Sequence, residues 1–268
     1  MIPQTPRGWH RYVAIGDSFT EGMSDPDPQR EGAYRGWADR LAALLAQESS
    51  RRGEDFAYAN LAIRGRLLDD VVGPQLDAAL AMQPDLVSMV GGGNDILRPK
   101  VDVDAIADRI ERAVVRLKGA GADVLLATPV DPAEAPLVRS TRGRYGIHAA
   151  NILSIARVHD CYVIDQWRWP ALRDWRLWAP DRIHMTSEGH ERVARHAFHA
   201  LGYDTGSEDW REPLPPADRV SAVEATRANA AWAKEYVGPW VHRRLTGRSS
   251  GDGLDPKRPQ LRPVDPPA

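Results

Sequence analysis

A serine at the carboxyl end of a strand, a carboxylate three residues before a histidine, and two glycine-bearing loops are the residues of this chain whose types and spacing suit acyl-transfer chemistry. Gly16-Asp17-Ser18 directly follows the apolar run Tyr12-Val13-Ala14-Ile15, and Phe19-Thr20-Glu21-Gly22 continues the turn. A serine there is placed as an exposed nucleophile at the edge of an α/β sheet; the plainer reading is a turn whose Asp and Ser cap a helix. A serine hydroxyl needs a base to take its proton, and that base needs a third group to fix its tautomer and stabilise the imidazolium. Asp181-Arg182-Ile183-His184 offers both groups just before the last helical stretch. The tetrahedral intermediate further needs N–H donors at its oxyanion. Gly91-Gly92-Gly93-Asn94-Asp95 supplies close backbone approach and the Asn94 amide, and Asn60-Leu61-Ala62-Ile63-Arg64-Gly65 supplies the Gly65 amide.

These loops need a scaffold that brings them together. Short apolar runs alternate with longer helical patterns in a βαβ rhythm. Strands are predicted at Tyr12–Ile15, Phe56–Ala59, Leu86–Val90, Val124–Ala127 and Cys161–Ile164. Helices are predicted over Trp37–Gln47, Leu67–Leu80 with an interruption at Gly73-Pro74, Val103–Lys118, Tyr145–Val158, and from an N-cap at Thr186 to Leu201. Right-handed crossovers between parallel strands then imply an α/β fold: a three-layer α/β/α sandwich, flavodoxin-like, with a five-stranded parallel sheet in the order 2-1-3-4-5 and chemistry at the strand carboxyl ends.

Gly16-Asp17-Ser18, Gly65, Gly93-Asn94-Asp95 and Asp181-x-x-His184 resemble the four ordered blocks of the SGNH (GDSL-like) serine hydrolases, over roughly residues 11–201. The resemblance implies that Ser18 attacks an acyl carbon, His184 acts as general base and then acid, and Asp181 orients His184. It further implies that the Ser18 amide, the Gly65 amide and the Asn94 side chain form the oxyanion hole, with neither cofactor nor metal. The implied activity is ester hydrolysis through an acyl-enzyme, on a carboxylester or a carbohydrate acyl ester. An acyltransferase using a sugar or other hydroxyl is the nearest alternative, and a non-catalytic carbohydrate- or lipid-binding module the next. Many members carry proline after the histidine, whereas this chain has His184-Met185-Thr186.

Composition narrows the remaining classes. With 35 basic against 37 acidic residues, the formal net charge of -2 sets up no field for nucleic acid. No run approaches the ~18 apolar residues of a membrane span, and the N-terminal residues lack a signal-peptide apolar core, so a cytoplasmic location is the expectation. The single cysteine, Cys161, falls on a predicted strand and has no partner for an internal disulfide. Gly91-Gly92-Gly93 lacks the continuation of a nucleotide-binding loop. His190-Glu191 starts like a zinc motif but has Ala194 where the second histidine would stand, so His190, His196 and His199 read as packed or solvated helix residues.

Four tryptophans, Trp167, Trp169, Trp175 and Trp178, precede Asp181 and suit either the wall of a substrate pocket or a lid packed on the sheet. The chain divides into a hydrolase domain at 1–201, a helical extension at 202–248, and a Pro-rich tail at 249–268 that reads as disordered. The extension's aromatic stripe, with Trp232, Tyr236 and Trp240, needs cover from the core or from a homodimer partner.

Overall fold

The computed structural model describes residues 7–135, 138–216 and 249–264, together with Arg227, Ala230, Trp232, Lys234 and Glu235. Strands β1 (Arg11–Ile15), β2 (Ala57–Asn60), β3 (Leu86–Met89), β4 (Asp123–Ala127) and β5 (Tyr162–Ile164) are mutually parallel in the expected order. A sixth strand, β6 (Arg258–Pro263), adds antiparallel to β2, with Ala57 opposite Pro263 and Asn60 opposite Arg258. The tail predicted as disordered is therefore folded across its described part. Prolines 259 and 263 hid it from pattern reading, yet an edge strand tolerates residues that donate no ladder hydrogen bond.

Strand alternation builds two apolar layers. On β1, Tyr12 and Ala14 face one cluster, with Trp37, Leu41, Leu45, Phe198 and Trp210. Val13 and Ile15 face the other, with Leu76, Ile110, Leu117 and Ile152. Helix α1 (Ser18–Glu21) is a single turn, and α2 (Gly36–Arg51) buries Trp37, Leu41 and Leu45 at helical spacing. Gly22 at the end of α1 and Gly36 at the start of α2 touch backbone to backbone, so a Cβ on either would collide with the other's Cα.

After β2, α3 (Leu68–Asp70) and α4 (Leu76–Ala81) are joined by a π-helical turn, Val71–Gln75. The interruption predicted at Gly73-Pro74 is thus a widened turn within a continuing helix, the form in which a residue lacking N–H is accommodated. Helix α5 (Gly93–Ile96) is one turn, and α6 (Val103–Gly119) starts at Asp102, whose carboxylate accepts from the Asp104 and Ala105 amides at 3.0 Å each. Helix α7 (Arg142–Val158) begins three residues earlier than expected, and α8 (Ser187–Ala200) is capped by Thr186 as predicted. Cys161 lies just before β5 and is half-buried.

Of the helical extension, residues 202–216 run over the outside of α8, with Trp210 buried. The predicted helix over 217–245, and with it the homodimer surface, lies almost wholly outside the described residues.

Candidate active site

Ser18 opens α1 immediately beyond β1, with Asp17 as its N-cap: the Asp17 carboxylate accepts from the Phe19 amide at 3.1 Å. Burial pushes Asp17 up to about 6, against the opposing pull of the Phe19 amide and of the His184 charge. Ile183 and Met185, on either side of His184, line the same cavity as Ser18.

His184 and Asp181 are paired. The Nδ1–Oδ2 separation is 2.6 Å, and the other carboxylate oxygen, Oδ1, accepts the backbone amides of Ile183 and His184 at 3.0 Å each. Burial works to raise the Asp181 pKa, but the hydrogen bonds and charge of His184 and the two amides outweigh it and hold the carboxylate low. The three-residue spacing succeeds because the loop closes on itself: Arg182 takes a left-handed φ of 55°, and the Ala179 amide donates to the His184 carbonyl at 2.8 Å.

The two glycine-bearing loops meet beside Ser18. The Asn94 side-chain amide donates to the Arg66 carbonyl at 3.0 Å and to Asp17 Oδ2 at 3.3 Å, tying the β3 loop to both other loops. Gly65 has a φ of 71°, a conformation that excludes most side chains, and a Cβ there would strike Ser249 Oγ. Below these loops His148 of α7 is hydrogen-bonded to the Gly91 backbone, and burial pushes it down to about 4, so it is neutral. Tyr145 supports the same loop, its hydroxyl donating to the Gly93 carbonyl at 3.0 Å.

A cavity of about 290 Å³ opens onto Ser18 and Asn94. Its walls include Ile183 and Met185, the residues flanking His184, and Trp175 and Trp178. The tryptophan-rich segment divides: Trp175 and Trp178 line the cavity, while Trp169 is buried edge-on against His196 and Trp210. Ser18 and Asn94 line this cavity, Asn94 reaches the carbonyl of Arg66 next to Gly65, and Asp181 pairs with His184 between the cavity-lining Ile183 and Met185.

The GDSL-like Lipase/Acylhydrolase family matches residues 14–192. The chain belongs to that family. Solved structures of this SGNH-type acylhydrolase's fold include Axe2, an acetylxylan esterase from Geobacillus stearothermophilus, at 20% identity and a TM-score of 0.60, covering 76% of this chain and 98% of that one. LAE5, an α/β hydrolase from the metagenome of Lake Arreo, Spain, is similar at 22% identity and a TM-score of 0.60, covering 75% and 98%. TesA is similar at 21% identity and 0.54, covering 71% and 97%. No curated protein matches the chain.

His190 is a structural residue of this acylhydrolase: its Nδ1 lies 3.2 Å from the Trp37 amide, its Nε2 3.2 Å from the Met23 carbonyl, and burial pushes it down to about 4. Sequence reading missed the buried Glu21–Arg64 ion pair, the neutral His148 beneath the glycine loop, and the reach of residues 249–258 to the site. Glu21 and Arg64 stand inside the quoted motifs, but nothing in their spacing announces that they meet.

Proposed function

We propose that this acylhydrolase cleaves an acyl ester of a small alcohol or carbohydrate through an acyl-enzyme on Ser18. The observation that carries the reading is the 2.6 Å Asp181–His184 pair, whose neighbours Ile183 and Met185 line the same cavity as Ser18. With Asp181 held ionised, its oxygen accepts a hydrogen bond from the Nδ1–H of His184, which keeps that proton on Nδ1 and leaves Nε2 as the basic nitrogen. His184 accepts the Ser18 hydroxyl proton as Oγ adds to the carbonyl, then delivers it to the leaving alcohol. Water repeats the sequence on the acyl-enzyme.

The developing oxyanion is received by the Ser18 and Gly65 amides and the Asn94 side chain, donors of the kind whose single loss slows reaction by roughly 100- to 1000-fold. Trp175 and Trp178 give the cavity the flat apolar area that suits a short acyl chain or a sugar face. Hydrolysis of p-nitrophenyl acetate, butyrate and octanoate, with Ser18→Ala beside the wild type, tests the reading. Expected is activity abolished in the variant and a preference for short chains; equal rates for both proteins would refute it. The same assay with a sugar acceptor, read by product analysis, separates hydrolysis from acyl transfer.

A further inference from the structure

Residues 249–264 lie beyond the span shared with the family, 14–192, yet they return to both turns that frame the site. Lys257 Nζ donates to the carbonyls of Glu21, Arg35 and Tyr34 at 2.5, 2.9 and 3.0 Å, and meets Asp39 Oδ2 at 2.5 Å. Its side chain is only 13% exposed, and that of Asp39 17%. Glu21 ends the single helical turn that Ser18 begins, so an ammonium sits against the carbonyl end of that turn, where a cation is favoured.

The Glu21 carboxylate carries the connection onward. It accepts the Arg64 backbone amide at 2.6 Å and Arg64 Nε at 2.9 Å, and the Arg64 guanidinium closes the pair. Gly65 is the next residue. In the peptide that joins Arg64 to Gly65, Ser249 Oγ donates to the Arg64 carbonyl at 3.4 Å and accepts from the Gly251 amide at 3.1 Å. Gly251 packs so closely that a Cβ there would run into the Arg64 carbonyl. Arg64 is therefore held at its backbone N–H by Glu21, while its carbonyl, which belongs to the peptide entering Gly65, is held by the 249–251 turn.

We propose that the 249–258 segment is a positioning element for acyl transfer: Lys257 fixes the Ser18 turn, and Ser249 and Gly251 fix the Gly65 peptide, so that the oxyanion donors are held at the correct spacing. This rests on the reading of Ser18 and Gly65 given above. A strand that merely covered the β2 edge would affect stability alone. A positioning element affects the transition state, because donor placement matters for the oxyanion and little for the ground-state ester.

The test uses the full chain with Lys257→Met, Ser249→Ala and Ser18→Ala. Three quantities are read: kcat and KM on p-nitrophenyl acetate, affinity for a small boronic acid whose tetrahedral serine adduct occupies the oxyanion site, and the melting temperature. Lys257→Met is expected to lower kcat roughly 10- to 100-fold, less than outright loss of a donor. KM should stay within about twofold, and boronic-acid affinity should fall by the same factor as kcat. Ser249→Ala should show the same pattern at about tenfold or less. A folded Lys257→Met with wild-type kcat and boronic-acid affinity, or with only KM raised, overturns the proposal. If Lys257→Met does not fold, Ser249→Ala decides by the same criteria. Wild type without Ser18-dependent hydrolysis would instead remove the underlying reading, and this proposal with it.

Discussion

Two aspartates of the site are driven in opposite directions by their surroundings. Asp181 is held low by His184 and two backbone amides, whereas burial lifts Asp17 to about 6. On the proposed mechanism the first must stay ionised to keep the Nδ1 proton on His184. Asp181→Asn presents an amide instead, favours the wrong tautomer, and should lower kcat roughly 10³- to 10⁴-fold with little change in melting temperature. Asp17 bears on stability. Its folded pKa is raised, so ionising it works against the fold increasingly as the pH rises from 3.8 to about 6. Asp17→Asn retains a capping oxygen and removes that penalty; it should melt roughly 2–4 °C above wild type at pH 7.5 and close to it at pH 4. Residue types and order brought out Ser18, Asn94, Asp181 and His184 as candidates, because each sits in a short local motif. The fates of Asp17 and His148 were not legible, since both follow from burial by elements distant in sequence.

At the scale of elements, periodicity located every parallel strand to within a few residues and every long helix, including the Thr186 cap. It failed where the physical signal is weak. Strand β6, Arg-Pro-Gln-Leu-Arg-Pro, carries two prolines and two arginines around a single aliphatic residue, Leu261, and it pairs with the edge that β2 provides. The tryptophan-rich segment carries two short helical turns whose residues divide between core and cavity, a split that no pattern of period 2 or 3.6 contains. Trp175 spans cavity and loop, stacking on the Arg182 guanidinium at 5.4 Å. Trp175→Ala enlarges the cavity and should shift chain-length preference from acetate toward butyrate and octanoate, read as the ratio of kcat/KM values. An unchanged ratio would mean that the acyl chain lies elsewhere.

Across the whole molecule, the strand order 2-1-3-4-5 was legible because handedness and the βαβ rhythm leave few alternatives, while the sixth strand and the contacts it brings were not. Acid stability is also a property of the whole. His148, His190 and His196 are buried in three separate places, with pKa values pushed down to about 4, 4 and 3. Because their folded values are depressed, the unfolded chain takes up protons first, and the stability these groups supply is lost as the pH falls from 6.5 toward 4. His196 stacks on Trp210 at 4.9 Å with Nδ1 buried and unpaired. His196→Phe keeps the stack, and its melting temperature should exceed that of wild type by a margin that widens from pH 7 to pH 5. Deleting 249–268 bares the β2 edge and should produce concentration-dependent aggregation by light scattering, which point variants at Lys257 avoid. The ammonium that braces the nucleophile turn comes 236 positions after the carbonyl it holds. At roughly 5–20 residues per second, a ribosome makes the Ser18 turn ten seconds or more before its brace, so on the positioning proposal the site reaches its full rate only once β6 and the turn before it have docked.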